Sequence, residues 1–502
     1  MPGIREHLLI LAIFLMILAS FINDYLFLVI ASATCFGFCL YLIYRLIANG
    51  QATRFFLLSS LACGAWTTGG FLQSAYLLLG QGPVKFSALF TASKVIVDVQ
   101  DYALSLAFVF LFIFFAALFS RLSFILKAES LFNWYVVERL RTVGSTAWSL
   151  SLFAVSTVLA SASFMGLVSI RGLAEEYYSN FGILPWWYVL LTFLVSTLPL
   201  LISQVFSRAK AVISLPGIIG LLGLITGLYY NSLFGRLALL SFMLVTPFCW
   251  IAIQRPRLNH SPRQLLLIFV LTLTIFIALP LVNSFFAFIN MVRIDRGFYT
   301  NPILFISSYL EFSGSRDAVS SAVGQSAENL SSRPLVLWPL AATIKMAFQN
   351  LNLGYLYFED LFNSALNSLP RFLFHGKGNL LLQETLLYSR FPFADVDTAD
   401  SPYLYAFASF GIFGAFMYPL VLILVYWLFL ELIIFASRNG SWFVVSFVST
   451  STLISFAIAS YAELATTGLL RQFVVPSSIS LVALSTALIR SNRLNQLKVR
   501  RP

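Results

Sequence analysis

Apolar runs about as long as a bilayer core is thick recur from one end of this chain to the other, and they restrict it to folds built in lipid. Hydrophobic residues fill 59% of the 502 positions and charged residues only 10%, which excludes a soluble globular domain as the main body. Read as spans, the runs are 8–22, 25–44, 55–79, 102–120, 143–170, 187–206, 211–230, 237–253, 265–289, 403–436, 442–461 and 473–489. They are expected to be helices, because a helix satisfies its own backbone while an open sheet edge would leave donors and acceptors in hydrocarbon. The expected fold is therefore an all-α polytopic membrane protein of about 12 transmembrane helices, or eleven if the short first run does not cross.

Lys and Arg set the orientation. With the N-terminus inside, the cytoplasmic segments hold 18 basic and four acidic residues, and the outer segments hold 13 and 16. Both termini are then cytoplasmic, and the net charge of +11 reflects topology and calls for no nucleic-acid partner. The four cysteines (Cys35, Cys39, Cys63, Cys249) all fall in predicted spans and form no disulfide or zinc framework. The first run lacks a small-residue cleavage site and reads as a retained span. Ionisable groups are scarce inside the spans, which counts against an ion-coupled transporter.

Charge is instead gathered in a polar island. Residues 291–401 carry 8 of the 31 Lys and Arg, 10 of the 20 Asp and Glu, and one of the three histidines. The chain divides accordingly into a membrane domain of spans 1–9 (1–290), an external loop domain (291–401), and spans 10–12 with a basic cytoplasmic tail (402–502). Within the island, 301–310, 335–356 and 361–369 read as amphipathic helices. Pro370, Gly376 and Gly378 break the pattern, and 391–402 is acidic and turn-rich. So long a loop, rich in aromatics, is expected to be functional. A second external segment, 80–101, places Lys94, Asp98 and Asp101 on one helical face, turned to solvent or into a cavity. The cytoplasmic loop 121–142 reads as a short interfacial helix.

The chemistry-bearing residues cluster around Pro370. Arg371, His375 and Lys377 place a guanidinium, an imidazole and an ammonium within seven residues, close to the membrane surface. A guanidinium's planar fork suits a diphosphate, and lysine adds a compact charge. Histidine is suited to take a proton from an attacking hydroxyl near neutral pH. The adjacent carboxylates Glu359 and Asp360 are a second pair of candidate bases, but they diverge by about 100° on a helix, so only one should face a given site. Arg316, Arg293, Arg296 and Arg390 are further anion-binding candidates or membrane-surface anchors. No phosphate-cradling loop, dinucleotide fingerprint or metal-ligand cluster occurs, so neither cofactor nor metal is expected.

The stretch from Asn352-Leu353-Gly354-Tyr355-Leu356 through Leu369-Pro370-Arg371-Phe372-Leu373 to Lys377, followed by Phe410-Gly411-Ile412-Phe413-Gly414, resembles the bacterial oligosaccharide repeat-unit polymerases, the Wzy-type O-antigen polymerase family. A many-span topology with a large external loop before the last spans is similar too. The resemblance implies a metal-independent membrane glycosyltransferase at the outer face of the bacterial inner membrane. It would move a growing glycan from one undecaprenyl-diphosphate carrier to the non-reducing end of the repeat unit on another. Arg371, with Arg316 and Lys377, would hold the diphosphate, and His375 or Asp360 would activate the acceptor. Membrane lipids, a chain-length regulator and a flippase of the same pathway are the implied partners. An O-antigen ligase, another lipid-sugar glycosyltransferase and a lipid-linked oligosaccharide flippase are the alternatives.

Overall fold

Residues 97–132, 145–164, 302–315, 337–349, 354–368, 383–392 and 402–438 are described by a computed structural model, with scattered positions in 11–37 and 194–226 and single positions 95, 134, 285, 288 and 317. They are helical, and no strand occurs among them. The spans expected at 55–79, 237–253, 442–461 and 473–489 lie outside the described residues.

Helix α1 (Val99–Phe119) starts where it does because Asp98 closes a capping box. The Asp98 carboxylate accepts from the Asp101 N–H at 3.1 Å, and the Asp98 N–H donates to Asp101 Oδ2 at 3.0 Å. Two of the donors that a helix start leaves unpaired are thereby satisfied. Beyond this cap the helix is apolar on every side, and Leu106, Val109, Phe110 and Ala116 have no exposed surface. A turn at Ser120–Leu122 leads into α2 (Ser123–Phe132), which buries Ile125, Ala128 and Phe132 along one face. This short helix falls inside the loop read as interfacial. Helix α3 (Ser145–Phe164) buries Leu152, Val155, Leu159 and Ala162 at helical spacing and exposes Leu150, Phe153 and Val158.

Three of the next helices answer to the amphipathic segments of the island. They are α4 (Pro302–Gly314), α5 (Leu337–Gln349) and α6 (Glu359–Ser368). Helix α4 packs Phe305, Tyr309 and Phe312 around Phe288, with ring centroids 5.3 to 5.5 Å apart. Helix α5 ends at Gln349, short of the expected 356, and residues 354–356 are not helical before a turn at 357–358. A fourth helix, α7 (Gln383–Arg390), lies where no element was expected.

The run 403–436 is not one helix. It consists of α8 (Pro402–Phe410), a 3-10 turn at Gly411–Phe413, and α9 (Gly414–Arg438). Ring contacts give the directions. Phe108 meets Phe407 at 5.3 Å and Phe112 meets Tyr403 at 4.9 Å, so α8 runs antiparallel to α1. Phe115 and Phe119 then meet Phe416, while Phe124 meets Trp427, so α9 runs the same way as α1. The chain therefore reverses at Gly411–Phe413. Glycine is required at both ends of the turn. Gly411 has φ +58°, which side chains other than glycine rarely adopt, and a Cβ on Gly414 would overlap the Ala406 carbonyl.

Among the described residues, two helical stretches are long and apolar enough to cross a membrane, Val99–Phe119 and Pro402–Leu428. The second includes the reversal, so α9, with 25 residues, is the membrane-length helix of the pair. The alanine substitution at Gly414 should lower the thermal midpoint in detergent by several degrees. The same change at Gly314, where a Cβ meets nothing within 4 Å, should leave it unchanged or raise it slightly.

Candidate functional site

The reversal leaves the last carbonyls of α8 without intrahelical partners, and the polar island supplies them. Leu356 donates its N–H to the Ala408 carbonyl at 3.0 Å, and Tyr357 donates to the Ser409 carbonyl at 3.2 Å. To make these bonds and still enter α6 at Glu359, the chain takes left-handed backbone at Tyr357 (φ 46°) and Phe358 (φ 67°). Each such aromatic residue costs about 1–3 kcal/mol and persists only where its surroundings hold it. Here the Glu359 N–H donates to the Leu356 carbonyl at 2.8 Å, and the Phe358 ring lies 4.5 Å from Phe410 and 5.7 Å from Tyr418.

Asp360 locks this arrangement. It has no exposed surface. Tyr418 of α9 donates its hydroxyl to Asp360 Oδ2 at 2.7 Å, and Ser409 at the end of α8 donates to Oδ1 at 3.4 Å. One carboxylate thus ties the start of α6 to both helices flanking the reversal. Glu359, one residue earlier, points the other way, as the 100° step of a helix requires. Its carboxylate lies 3.8 Å from Arg390 Nη2, and both side chains are more than two-fifths exposed. Arg390 lies close over Gly354, where a Cβ would come within 3.2 Å of Nη1.

A second tie joins the island to α1. Lys345 of α5 donates to Asp98 Oδ2 and to Asp101 Oδ2, both at 2.9 Å, and is itself mostly buried. The same two carboxylates make the capping box, so one ammonium holds both the helix start and the island. Burial raises the Asp98 pKa, but the hydrogen bonds from Lys345 and from the Asp101 N–H outweigh it and hold the carboxyl below its ordinary value. Burial likewise lowers the Lys345 pKa, and the hydrogen bonds to Asp98 and Asp101 outweigh it and raise the ammonium above its ordinary value.

Of the residues singled out from sequence, the structure brings together Glu359 and Arg390 and sets Asp360 beneath them. Arg371, His375, Lys377, Arg316, Arg293 and Arg296 lie outside the described residues. The described ends of the basic segment are nonetheless defined. Residues 369–382 follow α6 and precede α7, and these two helices pack on each other. Tyr418, Ser409 and Lys345 carry the site's geometry, yet only tertiary structure shows their partners, which are 58, 49 and more than 240 residues away. Among the described residues, no group of His, Cys, Asp and Glu could hold a metal ion.

No family model, no curated protein and no solved structure matches this chain.

Two outcomes are expected. Because Asp98 is lowered, its contribution to stability is complete above pH 3.8 and is lost as pH falls further. Because Lys345 is raised, its contribution is complete below pH 10.5 and is lost as pH rises further. The difference in thermal midpoint between wild type and Lys345→Met should therefore be widest between these limits and narrow outside them. At the second tie, Tyr418→Phe should cost about 1–3 kcal/mol and Asp360→Ala more, because the alanine removes the partner of both hydroxyls at once. Thermal unfolding in detergent checks both.

Proposed function

We propose that the protein polymerises undecaprenyl-diphosphate-linked oligosaccharide repeat units at the outer face of the bacterial cytoplasmic membrane. In this reading it is a metal-independent, membrane-embedded glycosyltransferase. The observation that carries the reading is the docking of the polar island on two membrane-length helices, through Lys345 at the start of α1 and through Asp360 at the start of α9. Beside the Asp360 tie, Glu359 and Arg390 stay exposed, and the segment bearing Arg371, His375 and Lys377 is joined to helices α6 and α7. A lipid diphosphate presents its anion at the surface that such an arrangement faces. The sidedness of the charges supports the same reading. Asp98, Asp101 and Lys345 meet where α1 begins, whereas Arg121 follows its other end.

The reaction asks little of the protein beyond charge and placement. The acceptor sugar's hydroxyl oxygen bonds to the anomeric carbon of the donor glycan as the bond from that carbon to the diphosphate oxygen breaks. The hydroxyl proton passes to His375, and the diphosphate leaves on its lipid with its extra charge against Arg371 and Lys377. Fixed cations aimed at the charge that develops on the leaving group are the largest electrostatic contribution available. Arg316, Arg293 and Arg296 would add to the same anion-binding field. Asp360 is committed to Tyr418 and Ser409, so we give it the task of positioning and leave proton transfer to His375.

The reading is tested with purified protein in nanodiscs and a synthetic undecaprenyl-diphosphate repeat unit, with products resolved on a gel. Wild type should give a ladder that well-folded Arg371→Ala loses by a factor of at least about 100. Transfer of a single glycan to a lipid A-type acceptor without a ladder would replace the polymerase with a ligase. Lipid movement across the bilayer without any transfer would replace it with a flippase.

A further inference from the structure

The strained backbone at Tyr357 has an effect that the docking of the island does not need. Docking uses the Tyr357 N–H, not its ring. The left-handed conformation turns that ring outward, and the residue is 65% exposed although its neighbours Leu356 and Asp360 are buried. Its ring stands 6.1 Å from Tyr355 and 5.8 Å from Phe410, nearly perpendicular to both, and these contacts leave most of its surface open. Immediately along the chain stand the exposed Glu359 carboxylate and, across Gly354, the Arg390 guanidinium. At 3.8 Å these two are near enough to neutralise each other and too far apart to form a tight hydrogen-bonded pair. Gly354 leaves the guanidinium room to lie against the backbone.

An open aromatic face beside a loosely held acid and base matches one ligand chemistry. A pyranose ring offers an apolar C–H face for stacking and vicinal hydroxyls that donate to a carboxylate and accept from a guanidinium. A diphosphate would gain from Arg390 but would be repelled by Glu359, and it has no apolar face for Tyr357. We infer that Tyr357, Glu359 and Arg390 form a glycan subsite that holds one pyranose residue of the lipid-linked oligosaccharide. The subsite rests on the lipid-sugar reading above and gives Arg390 a sugar rather than the diphosphate. The cationic segment 369–382 and this subsite then divide the substrate between them, charge to one and sugar to the other.

The test compares wild type, Tyr357→Trp and Tyr357→Gly in nanodiscs. The probe is the lipid-free oligosaccharide released by mild acid from the source cell's own lipid-linked pool, followed by saturation-transfer NMR. Wild type and Tyr357→Trp should both bind, with transfer strongest to the C–H protons of one ring. Tyr357→Gly should bind at least about tenfold more weakly. Its thermal midpoint should be equal to or above that of wild type, because glycine relieves the left-handed backbone. Unchanged binding by Tyr357→Gly would overturn the subsite, most plainly if the midpoint falls, since Tyr357 would then be an interfacial anchor. Absence of binding to wild type would overturn it as well. The polymerase assay separates the two claims. Tyr357-dependent binding in a protein that makes no ladder retains the subsite and removes the polymerase. A ladder with unchanged KM in Tyr357→Gly retains the polymerase and removes the subsite.

Discussion

The arrangement depends on two backbone hydrogen bonds, from Leu356 and Tyr357 to the last carbonyls of α8. A helix that ends among apolar neighbours exposes carbonyls that water cannot reach, and in such surroundings each unsatisfied group costs several kcal/mol. Reversal of the chain at Gly411–Phe413 is therefore tolerable only if another segment brings donors to it. The polar island does so, and the requirement explains why two consecutive aromatic residues accept left-handed backbone. The helix pair α8–α9 and the island are in this sense one unit, although separate stretches of sequence build them.

Around that junction the polar ties are few and each serves two ends. Lys345 holds the cap of α1 to helix α5 of the island, and Asp360 holds α6 to both sides of the reversal. In a chain with 10% charged residues, such groups are not spread for solubility. They stand where helices that pack only through apolar contacts would otherwise lack a unique register. Aromatic rings do the rest, with Phe108, Phe112, Phe115 and Phe119 forming one stripe of α1 against α8 and α9.

Much of this was legible in the sequence at the level of elements. Runs of apolar residues marked α1 and α9, and the three amphipathic segments appear as α4, α5 and α6. The reversal was not legible as a reversal. Hydropathy sums residue types without recording direction, so a helical hairpin and a long helix read alike. In the sequence Gly411 and Gly414 stand out only within a family resemblance, whereas their roles are a positive φ and a close backbone approach. Helix α7 was missed because Gln383, Glu384 and Ser389 dilute a short segment whose helicity comes from burying Leu386 and Leu387. At the site, the divergence of Glu359 and Asp360 followed from helix geometry alone. Which of the two turns inward was decided by Tyr418, a partner that no local pattern could supply.

The most direct test of the account is whether 357 and 410 are neighbours in the membrane. Cysteines at Tyr357 and Phe410, whose rings lie 5.8 Å apart, would be introduced after replacing the four native cysteines, together with a protease site within 393–401. After oxidation in native membranes and cleavage, the account predicts one full-length band that separates into two only on reduction. Two fragments without reduction, from protein that still folds, would show that the island does not dock at the end of α8 and would remove the junction on which the site is built.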